Sequence, residues 1–254
     1  MNLSVIIIAR DAEATMQRCL ESVAWADEIV VVESGSADRT ADICREFGAK
    51  VHQTPDWPGY GPQKNRALEL ATGDWVLSLD SDEWVTPALR AEIERTLGSP
   101  GDAAAFKAPR RSSFCGRSMR HSGWWPDYVT RLFRRGAARF SQDPIHERVI
   151  VTGAIGKLAQ PILHESITDL DQMIAKMNLY STTSAGDLFR NGRRASLGTA
   201  LLHGGWAFVR TYFLRAGFLD GREGFMLSVA NAEGAYYRYL KLTLLAQRES
   251  SSKS

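Results

Sequence analysis

Apolar residues in the first hundred positions fall into short runs separated by stretches of helical period. Leu3–Ile8, Glu28–Val32, Lys50–Gln53 and Trp75–Leu79 each read as a strand, and their lack of polar alternation fits a sheet covered on both faces. Between them, Ala14, Met16, Cys19, Leu20 and Val23 recur at helical spacing after Asp11. Ile43 and Phe47 mark a second helix, with Ser36 or Asp38 as its cap and Gly48 as its stop. Gln63–Leu70 reads as a third helix, and Thr86 followed by Pro87 starts a fourth that runs to Leu97. Strand-helix alternation of this kind predicts a doubly wound, mostly parallel α/β core.

The alternation ends near Phe106. Segment 110–128, rich in Arg, Ser and Gly around Trp124-Trp125-Pro126, reads as a loop too long for a plain connector and therefore functional. Val129–Phe133 and Arg148–Val151 are expected to complete the sheet. Past Asp169 the pattern is helical: Met173, Met177 and Tyr180, then Leu201–Leu214, then Glu223–Leu245. These shifts divide the chain into an α/β domain, 1–168, and a helical C-terminal region, 169–254. Leu201–Arg215 is apolar on most sides, with Trp206, Tyr212 and flanking arginines, so it either lies in a membrane interface or packs against protein. Arg190, Arg193 and Arg194 just before it favour an anionic membrane surface. No run approaches the roughly 20 apolar residues a spanning helix needs.

Composition narrows the class. With 254 residues, 44% hydrophobic and 24% charged, the chain suits one large domain plus an appendage. The net charge of +2 conceals a strong asymmetry: residues 1–106 carry 9 Lys/Arg against 18 Asp/Glu, whereas 107–139 carry nine basic residues against Asp127 alone. Such a division predicts that the basic part meets an anionic partner, and the absence of any recognised nucleic-acid motif argues against nucleic acid. Cys19, Cys44 and Cys115 form neither a disulfide framework nor a zinc pattern, and the chain enters a strand at Leu3 with no basic leader. Both features predict a cytoplasmic protein.

Candidate chemistry concentrates at Asp80-Ser81-Asp82-Glu83, which follows the apolar run Trp75–Leu79 and so lies at a strand's exit, where open α/β sheets bind ligands. Asp80 and Asp82, one residue apart, can face one side and hold a divalent cation that also grips a diphosphate. Neither G-x-G-x-x-G nor G-x-x-x-x-G-K-[ST] occurs, which disfavours a dinucleotide-dependent dehydrogenase and a P-loop hydrolase. A nucleotidyltransferase would share the acidic ligands but usually needs a glycine-rich loop after the first strand, where Ala9-Arg10 stands instead. A non-catalytic module would leave Asp80 and Asp82 unused.

The succession Ser4–Arg10, Asp27–Thr40, Gln63–Leu68, Gly73-Asp74-Trp75 and Asp80–Glu83 resembles the family 2 glycosyltransferases of the GT-A fold. The resemblance implies that Ala9, Arg10 and Glu33 hold the uridine of a UDP-sugar donor. It implies that Lys64 approaches the nucleotide or pyrophosphate, that Asp80 and Ser81 meet the ribose or donor sugar, and that Asp82 binds magnesium or manganese. The usual aspartate after the second strand is Glu33 here, and the usual Asn-Glu after the arginine is Asp11-Ala12, which blurs how the base is recognised.

Further on, Trp124–Tyr128, Arg131–Arg135, Ile145-His146-Glu147, Leu163-His164-Glu165, Lys176–Tyr180 and Gly217–Gly221 resemble the lipopolysaccharide inner-core β-glucosyltransferase branch of that family. The branch implies transfer of a hexose, typically glucose, to a core heptose on an anionic lipid-linked saccharide, by a protein peripheral to the inner face of the cytoplasmic membrane. Another polysaccharide or lipid-linked acceptor is the alternative within the same fold, and a homo-oligomer is compatible with it. Inversion needs a carboxylate base, for which Glu147, Asp127 and Asp143 are the candidates, with Glu147 preferred. His164 and His146 are candidate metal ligands, Trp124 and Trp125 candidate sugar-stacking faces, and the arginine cluster a candidate receptor for acceptor phosphates.

Overall fold

The computed structural model of the chain describes residues 1–142 and 147–251. Asp143 and His146, two of the residues singled out above, lie outside them. The chain opens with β1 (Leu3–Ala9), α1 (Glu13–Val23), β2 (Glu28–Glu33), α2 (Thr40–Glu46), β3 (Lys50–Gln53), α3 (Tyr60–Leu70) and β4 (Trp75–Asp80). Then come β5 (Glu83–Val85), α4 (Pro87–Gly98), β6 (Ala103–Phe114), β7 (Arg117–Ser118), β8 (Asp127–Arg134), β9 (Ala138–Phe140), β10 (Val149–Val151), β11 (Ala154–Lys157) and β12 (Ile162–Ile167). Helices α5 (Leu170–Arg190) and α6 (Leu197–Val209), a π turn at Arg210–Leu214, a 3-10 turn at Gly217–Asp220 and α7 (Gly221–Ser251) complete it.

Contacts divide the molecule into two units, Met1–Arg110 with Asp127–His164, and Arg111–Pro126 with Glu165–Ser254. This division by contacts is discontinuous in sequence, and the expected boundary at residue 168 lies four residues past its His164–Glu165 break. The segment read as a functional loop, 110–128, begins as the end of the twelve-residue strand β6, continues as β7 and ends in β8. Its apolar residues explain the grouping: Phe114 and Met119 are buried with Met173, Leu227 and Ala230 in a core of the second unit.

In the first unit the strand order is β3-β2-β1-β4-β8-β6. The four strands β3, β2, β1 and β4 are mutually parallel, β8 is antiparallel to β4, and β6 is antiparallel to β8. Successive residues of β1 serve opposite faces, as strand geometry requires. Leu3, Val5 and Ile7 are buried with α1, α2 and α4, while Ile6 and Ile8 are buried on the α3 side. Thr86 caps α4 as the Thr-Pro pair predicts, its hydroxyl accepting from Leu89 N–H at 3.1 Å. Neither Ser36 nor Asp38 is the N-cap residue of α2, although Asp38 accepts from Thr40 N–H at 3.0 Å and fixes the turn before it. The strand expected at 148–151 forms, but it pairs with β9 in a separate two-stranded ribbon and does not extend the main sheet. The expected helical region is present, with Asp169 capping α5 through Gln172 N–H at 2.8 Å. The arrangement is the GT-A-type α/β core with a helical C-terminal region.

Candidate active site

Three parallel strands deliver their ends to one edge of the sheet. Ala9 is in register with Glu33, and Ile8 with both Val32 and Asp80, so Ala9, Glu33 and Asp80 emerge within one residue of each other. Because β8 runs the opposite way, with Leu132 opposite Leu77, Arg131 arrives at this same edge. Pairing of β5 with β12 sets His164 opposite Glu83, which brings His164 beside Asp82 across 82 positions of sequence. His164 Nε2 lies 3.5 Å from Asp82 Oδ2.

Lys64 organises the centre. Its ammonium, 2% exposed, lies 2.7 Å from Asp80 Oδ1 and 2.7 Å from Glu147 Oε1. Beside it, Gly61 of α3 admits a close approach of the Ser141 backbone: a Cβ there would stand 1.9 Å from the Ser141 carbonyl oxygen and 3.5 Å from Glu147 Cβ. Arg131, buried, bonds Asp80 on one side and the fully buried Glu83 at 2.7 Å on the other. Arg110 continues the chain, 3.6 Å from Glu83 and 2.7 Å from Asp127 Oδ2. Four carboxylates and three cations thus alternate from Asp127 to Glu147. Alternation lets charges sit out of water, since each buried ion has an opposite neighbour and hydrogen bonds.

Electrostatics follow from that order. Burial opposes ionisation of Asp80, but Arg131 and Lys64 outweigh it and hold the carboxyl far below the usual carboxylate range. Burial likewise disfavours charge on Arg131, and Asp80 and Glu83 reverse the effect and raise its pKa. Glu33, fully buried, is held below its ordinary value against the opposing effect of burial by hydrogen bonds from Ser36, Gln53 and the Gly35 backbone. Ser36 N–H and Gln53 Nε2 take up its two oxygens, so Glu33 fastens the loop after β2. Asp11 and Ser36 then tie this loop to the one after β1, through Ala37 N–H to Asp11 at 2.8 Å and Asp11 N–H to Ser36 Oγ at 3.0 Å.

The sequence-predicted residues are therefore only partly gathered. Asp80, Lys64 and Glu147 touch, Asp82 and His164 are adjacent, and Ala9, Arg10 and Glu33 line the neighbouring strand ends, with Arg10 exposed. Asp127 stands at the far end of the charge chain, 42% exposed and bound to Arg110. Part of the arginine cluster faces solvent, with Arg117, Arg120, Arg135 and Arg139 exposed, and part is turned inward. Arg110 and Arg131 are absorbed by carboxylates, and Arg134 and Arg135 donate to the Ala103 and Gly73 carbonyls, because these side chains satisfy groups inside and along the sheet. Trp124 packs edge-on against Phe114 in the second unit and Trp125 lies under Arg111. The pairing of Arg131 with Glu83 and Asp80 escapes the sequence reading, though an arginine beside Leu132-Phe133 in an apolar strand signals a buried partner.

Among the described residues no cluster of three His, Cys, Asp or Glu side chains could hold a metal ion. Asp82, one-third exposed, and His164 offer two donors on one side of the strand exit. The carboxylate suits a magnesium- or manganese-type ion, which is commonly bound through one or two carboxylates with substrate phosphates and water completing its shell, and the imidazole favours manganese, the transition metal of the two. Asp80 is not available to it while Lys64 and Arg131 occupy both its oxygens.

Residues 4–155 match the family described as Glycosyl transferase family 2. The chain is 33% identical over 267 residues to the uncharacterized glycosyltransferase RC0292 of Rickettsia conorii, spanning 99% of this chain and 92% of that protein. It is 30% identical to LpsC of Rhizobium meliloti, a lipopolysaccharide core biosynthesis glycosyltransferase, over 97% of this chain and 92% of the relative. Among solved structures, S. aureus TarS 1-349 in complex with UDP superposes with a TM-score of 0.51 at 15% identity, covering 98% of this chain and 92% of that one, a likeness of fold alone. Matched over more than half its length, and related almost end to end to transferases of sugars, the chain belongs to glycosyltransferase family 2.

Proposed function

We propose that the protein transfers a hexose, glucose in the first instance, from a UDP-sugar to a heptose of the lipopolysaccharide inner core, with inversion at the anomeric carbon. The observation that carries the chemistry is the contact of Glu147 with Lys64, which holds a carboxylate next to Asp80 at the strand exit. In this reading the loops after β1 and β2, with Ala9, Arg10 and Glu33, receive the uridine, and Asp80 and Ser81 face the ribose or donor sugar. Only Oε1 of Glu147 is engaged by Lys64, so Oε2 accepts the proton of the acceptor hydroxyl as that oxygen attacks the anomeric carbon. Asp82 and His164 would hold a divalent cation, magnesium or manganese, which when bound neutralises charge developing on the departing diphosphate. Lys64 and Arg131 keep Asp80 fixed throughout, and this rigidity orients the donor.

The similarity to LpsC supports an anionic lipid-linked core saccharide as the acceptor and, with it, action at the inner face of the cytoplasmic membrane. The exposure of Asp127 favours a second assignment of the base, to that residue. The test is turnover of UDP-hexoses on a heptose-terminated core acceptor. Glu147→Gln should lower turnover by about 10²–10⁴-fold with UDP affinity unchanged in calorimetry, while Asp127→Asn stays near the wild-type rate. The opposite pattern reassigns the base to Asp127, and no transfer from any UDP-hexose refutes the donor.

A further inference from the structure

Helix α6 in the second unit is inside out. Its buried stripe, Ala200, Gly204, Ala207 and then Thr211 in the π turn, is made of small residues. Gly204 presses so closely on α7 that a Cβ would meet Ala232 O at 3.2 Å and Tyr236 Cβ at 3.1 Å. The large apolar residues occupy the opposite stripe: Leu202, 74% exposed, Trp206, 53% exposed, then Val209 and Phe213. The spacing of both stripes is that of one helix face, so the inversion is a property of the whole element. The exposed ridge continues past the helix through Leu214, Phe218 and Leu219.

Scattered exposed apolar residues need no explanation, but a contiguous ridge with Trp and Phe does. Arg210 and Arg215 are interleaved with it and exposed, with no ion-pair partner among the described residues, and the exposed Arg222 follows it. The second unit carries 14 Lys/Arg against 8 Asp/Glu, the first 17 against 21. No described helix is long and apolar enough to cross a membrane. We propose that the α6 ridge, from Leu202 to Leu219, is a monotopic docking surface that inserts its apolar side chains into the interface of an anionic bilayer while Arg210 and Arg215 meet lipid phosphates. The combination of a large exposed apolar stripe, aromatic side chains and flanking arginines is what interfacial binding requires. This surface gives a location to the lipid-linked acceptor proposed above, but binding to lipid alone does not depend on that reading.

The test is flotation of the full chain with vesicles that contain no saccharide. Wild type should float with equal parts phosphatidylcholine and phosphatidylglycerol, and weakly or not at all with phosphatidylcholine alone. The combined variant Leu202→Ser, Trp206→Ser, Phe213→Ser should lower partitioning by at least about a hundredfold, because three large side chains leave the apolar phase. Arg210→Ala with Arg215→Ala should lower it roughly tenfold and reduce its salt sensitivity. Circular dichroism and UDP affinity report whether a variant is folded, and Leu202→Asp alone serves if the combined variant is not. Brominated lipid should quench wild-type fluorescence more than that of Trp206→Phe. Failure of wild type to float, or equal flotation of the ridge variants, overturns the proposal. A wild-type dimer that the ridge variant disperses, without flotation, also overturns it and gives the surface to a second copy. A ridge that floats beside an enzyme inactive on UDP-hexoses would leave this inference standing and remove the donor assignment.

Discussion

The two units break the ordinary rule of protein interiors in opposite directions. The first buries charge: Lys64, Arg131 and Glu83 lie out of water in an alternating chain that ends at Asp127 and Glu147. The second exposes grease, with small residues inward on α6 and Leu202, Trp206 and Phe213 outward. Each inversion costs folding free energy that an ordinary hydrophobic interior would not incur. In the first unit the gain is a set of carboxylates held in fixed positions at a strand exit. In the second, under the docking proposal, the cost would be recovered when a lipid surface covers the ridge.

Breaking the charge chain at its centre should have the largest effect. Lys64→Met leaves Asp80 and Glu147 facing each other without their shared cation, and removing one partner from a buried pair costs about 3–5 kcal/mol. Urea denaturation should show that loss, and turnover should vanish, whereas a near-wild-type midpoint would mean that Arg131 alone suffices to hold Asp80. Asp82→Ala sharpens the contrast from the other side. Asp82 is one-third exposed and packs little, so stability should be unchanged while manganese-dependent turnover falls by about 10²–10³-fold. Retained activity at all manganese concentrations would remove Asp82 from the metal site.

Acid tests a buried charge away from the site. Burial disfavours ionised Glu28, yet bonds from Lys50, Ser4 and Thr72 outweigh it and bring its carboxyl down from 4.5 to about 2. A carboxyl lowered by folding adds stability that is complete above its unfolded value and disappears as the pH drops toward the folded one. Stability should therefore fall by about 3 kcal/mol between pH 4.5 and 2 on account of this group, and Glu28→Gln should flatten that part of the urea profile. The smallest expected effects compare the units directly. Thr86→Ala and Asp169→Ala each remove one helix cap and should cost about 1 kcal/mol. If the two caps shift separate calorimetric transitions, the units unfold independently, and one common transition means they unfold together.

Much of the first unit was legible from the chain because local signals and the global fold agree there. The apolar runs at Leu3–Ile8 and Trp75–Leu79 are strands in the sheet, and Thr86-Pro87 starts a helix. The ends of segment 110–128 escape a sequence reading because the consecutive run Arg110-Arg111-Ser112-Ser113 at the end of a long strand resembles a polar loop when the partner strand is unknown. The buried arginines are illegible for a related reason. Charge counted along the sequence cannot distinguish a guanidinium that faces solvent from one consumed by a carboxylate fifty positions away, as Arg131 is by Asp80.

The sequence by itself determined the elements, the family and the strand exit that carries Asp80 and Asp82, because these follow from near-neighbour periodicity and from motifs read in order. Only the tertiary structure decided which charges meet. Antiparallel β8 carries Arg131 to the exit of β4, the pairing of β5 with β12 carries His164 to Asp82, and the missing side chain of Gly61 lets the Ser141 backbone approach α3. It also decided that α6 turns its small face inward, since a helix apolar on most sides can bury any of them and the close approach to α7 selects the one with glycine and alanine. Pairings between residues tens of positions apart are set by strand direction, register and the closeness of backbones, and these exist only once the chain has folded.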